Sequence, residues 1–246
     1  MFRSLLVALH FLTRLPLPPQ EIRLEEVGRS AWAFPAIGTL IGLVLAGSDW
    51  LLGWLFPPVV RAALLLALWV GITGALHLDG FVDSCDALLA ARTPEARLEI
   101  LRDTHVGAFG VIGAVILLLV KYATLSICLW AGMGTALLLA PSLGRWTIVY
   151  AMARYPTART TGMGKTVQAF AGRWALPVAT LLVLPVLLVR PLAGLMAFAL
   201  AWLYTMLFAG WILRRIPGFT GDVYGALCES VEVGVLLVLA AGRGGA

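Results

Sequence analysis

Chemistry in this chain is concentrated in its carboxylates. Asp79, Asp83 and Asp86 stand in the run His77-Leu78-Asp79-Gly80-Phe81-Val82-Asp83-Ser84-Cys85-Asp86, and Asp222, Glu229 and Glu232 follow Thr220-Gly221 near the C-terminal end. The first set is spaced i, i+4, i+7 and the second i, i+7, i+10, so on helices each forms one stripe. Like charges on a narrow stripe repel, and partial burial weakens the relief that water gives. A divalent cation is the natural counter-ion: Mg²⁺ takes oxygen ligands, keeps several waters and commonly bridges one or two carboxylates to substrate phosphates. Asp103, next to Arg102, can join the first set. The expectation is two acidic helices facing each other at a membrane surface, with Asp79, Asp83, Asp86, Asp103, Asp222, Glu229 and Glu232 as candidate Mg²⁺ ligands.

Phosphoryl transfer needs charge neutralisation and in-line positioning more than covalent catalysis, and arginine matches phosphate oxygens bidentately. Arg102 adjoins Asp103, and Arg159 precedes Gly162 and Gly164. Taken individually, each reads more readily as a positive-inside or headgroup-contacting residue than as a ligand contact. Lys121 and Arg145 fall within apolar runs, where a charge is costly unless it is paired or faces water. They are candidate partners of the acids or of a substrate phosphate. His77 is a candidate base, ligand or orienting donor, and Asp83 or Asp86 is the candidate general base, with Asp79 beside them. The chain has no nucleophile elbow, no phosphate-binding glycine loop and no dinucleotide fingerprint.

The elements that position these groups must be membrane helices. Hydrophobic residues make up 61% of the 246 and charged residues only 13%, about half the usual soluble share. Runs near 34–56, 62–78, 108–130, 134–152, 174–189, 191–213 and 226–241 are long and apolar enough to predict about six to seven transmembrane helices in an all-α bundle. The short apolar stretch from Phe2 to Leu12, carrying Arg3, predicts an interfacial N-terminal helix and not a removed signal. No linker divides the chain, so residues 1–246 read as one membrane-embedded catalytic domain. With the N-terminus inside, the inner loops take most of the basic residues, Arg92 and Arg173 among them, and the outside only Arg61, Arg190 and Arg243. The acids then sit at the cytoplasmic surface of the inner membrane. The net charge of +5 is scattered and forms no nucleic-acid patch. Cys85, Cys128 and Cys228 have neither zinc nor disulfide spacing.

Taken together, Phe11-Leu12-Thr13-Arg14-Leu15-Pro16, Phe34-Pro35 with Gly38 and Gly42, His77-Leu78-Asp79-Gly80 with Asp83 and Asp86, Arg102-Asp103 with Gly107 and Gly110, and Thr220-Gly221-Asp222 with Gly225-Ala226, Glu229 and Glu232 resemble the cobalamin synthase family, the adenosylcobinamide-GDP ribazoletransferases. The resemblance runs in order over almost the whole chain. It implies a Mg²⁺-dependent integral membrane enzyme that joins adenosylcobinamide-GDP to α-ribazole or its 5′-phosphate and releases GMP. It also implies other enzymes of that pathway as partners on the same face, and it adds Arg14 to Arg145 and Arg159 as a phosphate-binding candidate. The chain departs from the family pattern with Ala75 in place of a glycine, Val82 in place of alanine, Ala87 in place of glycine and Gly144 in place of serine. Two rival readings are a CDP-alcohol phosphotransferase, whose aspartate spacing differs, and a divalent-cation transporter, which would place its acids near the bilayer midplane.

Overall fold

The computed structural model describes residues 2–18, 21–89 and 93–241; Arg92 and Arg243 lie outside them. Its helices are α1 (Phe2–Leu12), α2 (Leu24–Arg29), α3 (Phe34–Leu52) with a preceding 3₁₀ turn (Ala31–Ala33), α4 (Pro58–Thr73), α5 (Leu76–Leu89), α6 (Pro94–Ile100), α7 (Ala108–Trp130), α8 (Thr135–Arg154), α9 (Met163–Phe170), α10 (Ala175–Leu188), α11 (Pro191–Leu213) and α12 (Gly221–Ala240). Among the described residues the only β pairing is an isolated bridge between Thr157 and Phe219. Five helices are long and apolar enough to cross a membrane, or seven when the bent pairs α4–α5 and α9–α10 each count as one span. The all-α membrane bundle and the short N-terminal apolar helix are therefore as the sequence predicts.

The burial pattern explains which helices surround the site. α8 and α12 are buried over most of their length, whereas α7 and α11 present many bare leucines, isoleucines and valines outward. Apolar surface left outside in this way is suited to lipid. α3 packs most extensively on α8, and α12 on α5 and α8. The first contact is close because Gly38 and Gly42 of α3 lie on the backbone of α8 around Pro141 and Leu137, where any side chain would collide.

One predicted span is broken. The run near 62–78 reads as continuous, yet α4 and α5 meet at 91°. The cause is local: Gly74 (φ 59°) and Ala75 (φ 58°) are both left-handed, and a left-handed pair ends a right-handed helix. Arg14 packs its side chain across Gly74, and its backbone N–H donates to Ile72 O at 2.7 Å, which holds the bend against the N-terminal segment. The bend turns α5, with its aspartate stripe, away from the direction of α4. Ala75 has a Cβ where the conformation favours none. Ala75→Gly is expected to stabilise the protein by about 0.5–1 kcal/mol, read as a higher melting temperature in detergent. A lower one would show that the bend holds Ala75 without strain.

Candidate active site

The site is built on the crossing of α5 and α12. A Cβ on Gly80 would lie 2.8 Å from Asp222 Cα, and one on Gly225 would lie 2.8 Å from His77 O, so at this crossing the helices touch backbone to backbone. That approach brings Asp79 and Asp83 of α5 and Asp222 of α12 within mutual electrostatic reach. α12 starts where it does because Thr220 caps it, its hydroxyl oxygen accepting from Val223 N at 3.3 Å while its hydroxyl also lies 3.1 Å from Asp222 Oδ2. Ahead of the cap, Ala158 N donates to Phe219 O at 2.9 Å, and this ties the 156–159 segment to the head of α12 and sets the Arg159 charge beside Asp222.

A cavity of about 220 Å³ opens at this crossing. Its polar wall is His77, Asp79 and Asp222; its apolar wall is Phe11, Phe34, Ile148 and Met152; Met163, Gly164 and Val167 of α9 border it. Tyr224 also lines it, with its Oη buried and lacking a hydrogen-bond partner among the described residues. Tyr224 carries no charge and no spacing of its own, so sequence reasoning passed over it; the available signal is its position two residues after Asp222 in the last acidic motif.

Behind the cavity lies a buried ionic network. Lys121 Nζ donates to Glu229 Oε2 at 2.8 Å and also to Glu232 Oε2, and Arg145 Nη1 donates to Glu232 Oε1. Lys121 is 2% exposed and Arg145 and Glu232 are fully buried. The ammonium also sits 4.1 Å from the centroid of the Trp69 ring. Two cations face two anions, so the protein neutralises these charges itself, as an apolar environment requires. Arg145 Nη2 lies 3.4 Å from His77 Nδ1. A guanidinium can only donate, so Nδ1 accepts and the ring proton of His77 sits on Nε2.

The two acidic helices face each other as expected, but the structure divides their acids into two groups. Asp79, Asp83 and Asp222 come together. Glu229 and Glu232 do not join them: they lie roughly 10–15 Å farther along α12 at 1.5 Å per residue, engaged with Lys121 and Arg145. Lys121 and Arg145 accordingly contact acids inside the bundle. Lys121 stands near the middle of α7 and Arg145 near the middle of α8.

Asp86 is committed elsewhere as well. Its Oδ2 accepts from Gly107 N and its Oδ1 from Gly110 N, both at 2.8 Å, so the carboxylate closes the N-terminal end of α7, where the helix dipole favours negative charge. A side chain on either glycine would displace it, which ties two of the sequence motifs to one contact. Asp103 sits on the exposed loop after α6, where His105 Nδ1 at 2.6 Å and the His105 N–H hold its carboxyl below the usual carboxylate range. Arg102 is exposed on the same loop. Arg159 Nη2 donates to Leu98 O and Leu101 O, carbonyls at the C-terminal end of α6, while its Nε is buried with no hydrogen-bond partner among the described residues. Arg14 remains at the α4–α5 bend.

Among the described residues no three His, Cys, Asp or Glu side chains converge into a ready-made metal cage. The donor chemistry nonetheless fits Mg²⁺, which is commonly held by one or two carboxylates, with waters and substrate phosphate completing the shell. Asp79 and Asp222 offer such a pair at the cavity wall.

The sequence profile of cobalamin-5-phosphate synthase matches residues 4–240. The chain is 42% identical over 243 residues to the adenosylcobinamide-GDP ribazoletransferase of Roseiflexus sp. (strain RS-1), covering 94% of this chain and 87% of that one. It is 42% identical over 248 residues to the enzyme of that name from Desulfitobacterium hafniense (strain Y51), covering 96% and 95%. With that from Stutzerimonas stutzeri (strain A1501) it shares 43% over 242 residues, covering 96% and 97%. No solved structure matches the chain.

Proposed function

Because the chain belongs to the cobalamin-5-phosphate synthase family, a transferase family matched from residue 4 to 240, we propose that it joins adenosylcobinamide-GDP to α-ribazole or its 5′-phosphate. The observation that carries this reading is the meeting of Asp79 and Asp222, from two helices, at the wall of one cavity, with Asp83 within electrostatic reach of both. In the reaction a ribose hydroxyl attacks the cobinamide-bearing phosphorus. The new phosphodiester bond forms there, the diphosphate bridge breaks, and GMP leaves with the electron pair of the bridging oxygen.

Asp79 and Asp222 would hold Mg²⁺, which when bound supplies neutralisation of the diphosphate and of the departing GMP. Asp83 takes the proton of the attacking hydroxyl, since both oxygens of Asp86 are occupied by the amides of α7. His77, fixed by Arg145 with its proton on Nε2, donates to a phosphate oxygen in the cavity. Tyr224, whose hydroxyl has no partner among the described residues, is a second donor there. Phe11, Phe34, Ile148 and Met152 keep water from the apolar side. With the N-terminus inside, the basic loops and this cavity face the cytoplasm, where a nucleotide-activated substrate is available.

The test is turnover by purified protein in liposomes, mixing adenosylcobinamide-GDP with α-ribazole and following GMP and the corrinoid product. Both products should appear only with Mg²⁺, and chelation should stop them. Correctly inserted protein that released no GMP would end this reading; metal-independent release would remove the metal from it.

A further inference from the structure

Helix α9 borders the catalytic cavity with Met163 and Gly164 and ends at Phe170, on the wall of a second hollow of about 400 Å³. Arg29, Trp32, Phe170, Arg173 and Trp174 form its polar and aromatic part, and Val178 continues it along α10. Arg29 lies 5.5 Å from the Phe170 ring centroid and Arg173 lies 5.4 Å from that of Trp174. Among the described residues no carboxylate lines this hollow. The acids of the adjoining surface lie across Arg29, and of these Glu26 is held by Arg3 at 2.6 Å.

Depth identifies the surroundings. Arg29 comes two residues before the span Ala31–Leu52, and Arg173 two residues before Ala175, where α10 begins. Both guanidinium groups therefore lie at headgroup level, with Trp32 and Trp174 at the interfacial depth tryptophan favours. We propose that this hollow binds one anionic phospholipid, its phosphate between Arg29 and Arg173 and its acyl chain along Trp174 and Val178. A free phosphate would leave that apolar wall uncovered. The lipid would also brace α9, because Gly28 of α2 packs directly on Phe170, and so steady the Met163–Gly164 border of the catalytic cavity. This inference rests on the membrane reading and not on the identity of the substrates.

The experiment is native mass spectrometry of the full chain from nanodiscs of phosphatidylcholine with added phosphatidylglycerol. Wild type should retain one phosphatidylglycerol through delipidation that strips phosphatidylcholine. Arg29→Gln/Arg173→Gln should lower that retention about 30-fold, from ~1 kcal/mol for each basic residue near the lipid surface, and Arg190→Gln, outside the hollow, should not. If the double variant fails to insert, Arg173→Gln alone should lower retention about fivefold on the same constants. Wild-type retention in the glutamine variants would overturn the proposal. So would displacement of the lipid by excess inorganic phosphate, which would make the hollow a soluble-phosphate site.

Discussion

Asp79→Asn and Asp222→Asn are each expected to lower turnover on the order of 10²–10⁴-fold while the protein inserts normally and melts no lower than wild type. The two effects separate for an electrostatic reason. Asp79 and Asp222 come from different helices, line the same cavity, and lie within reach of Asp83, so like charges are gathered there without a protein cation joined to any of them in an ion pair among the described residues. Removing one charge relieves repulsion in the resting protein and removes what the reaction requires. Residues kept for folding behave in the opposite way. Asp86→Ala supplies the contrast, since it strips the Gly107 and Gly110 amides of their acceptor, so the loss should be mainly in stability. The check is single-turnover GMP release alongside thermal unfolding in detergent. Near-normal rates in Asp79→Asn and Asp222→Asn would move the chemistry away from the α5–α12 crossing.

The helices were legible because apolar runs of spanning length and glycine-proline breaks are local signals, and the spans predicted near 108–130, 134–152 and 191–213 lie within a few residues of α7, α8 and α11. The bend between α4 and α5 was less legible. It needs two successive left-handed residues, and Ala75 does not announce that conformation. For the site, residue type and spacing found the acids but not their company. Helical periodicity places Asp222, Glu229 and Glu232 on one side of α12, yet it cannot say that the upper part of that side meets α5 while the lower part meets Lys121 of α7 and Arg145 of α8. Those contacts join residues 108 and 87 positions apart. The charges at 121 and 145 within apolar runs were the only sequence sign that buried partners existed. Asp86 shows the same limit: its spacing matches the stripe, and the amides that engage it lie 21 and 24 residues farther on.

Glu232→Gln should be the most destabilising substitution of a charged residue, by about 3–5 kcal/mol, because breaking a buried pair leaves the partner charge uncompensated. Glu232 is the hinge of the network, taking Lys121 on one carboxylate oxygen and Arg145 on the other. Its loss leaves two buried cations against Glu229 alone. Neutrality predicts the rescue: Glu232→Gln/Lys121→Met keeps Arg145 and Glu229, one charge of each sign, and should recover most of the lost stability although it removes a second native group. The two effects should then be strongly non-additive, as groups sharing one network are. Activity need not follow stability, since Arg145 freed from Glu232 can shift and release His77 Nδ1, allowing the ring proton to leave Nε2. A double variant that is folded but slow would mark the network as what orients His77; one that is folded and fast would make it a device for stability alone. Unfolding of each variant in mixed micelles gives the measurement, and a Glu232→Gln protein as stable as wild type would mean that the buried charges find relief elsewhere in the bundle.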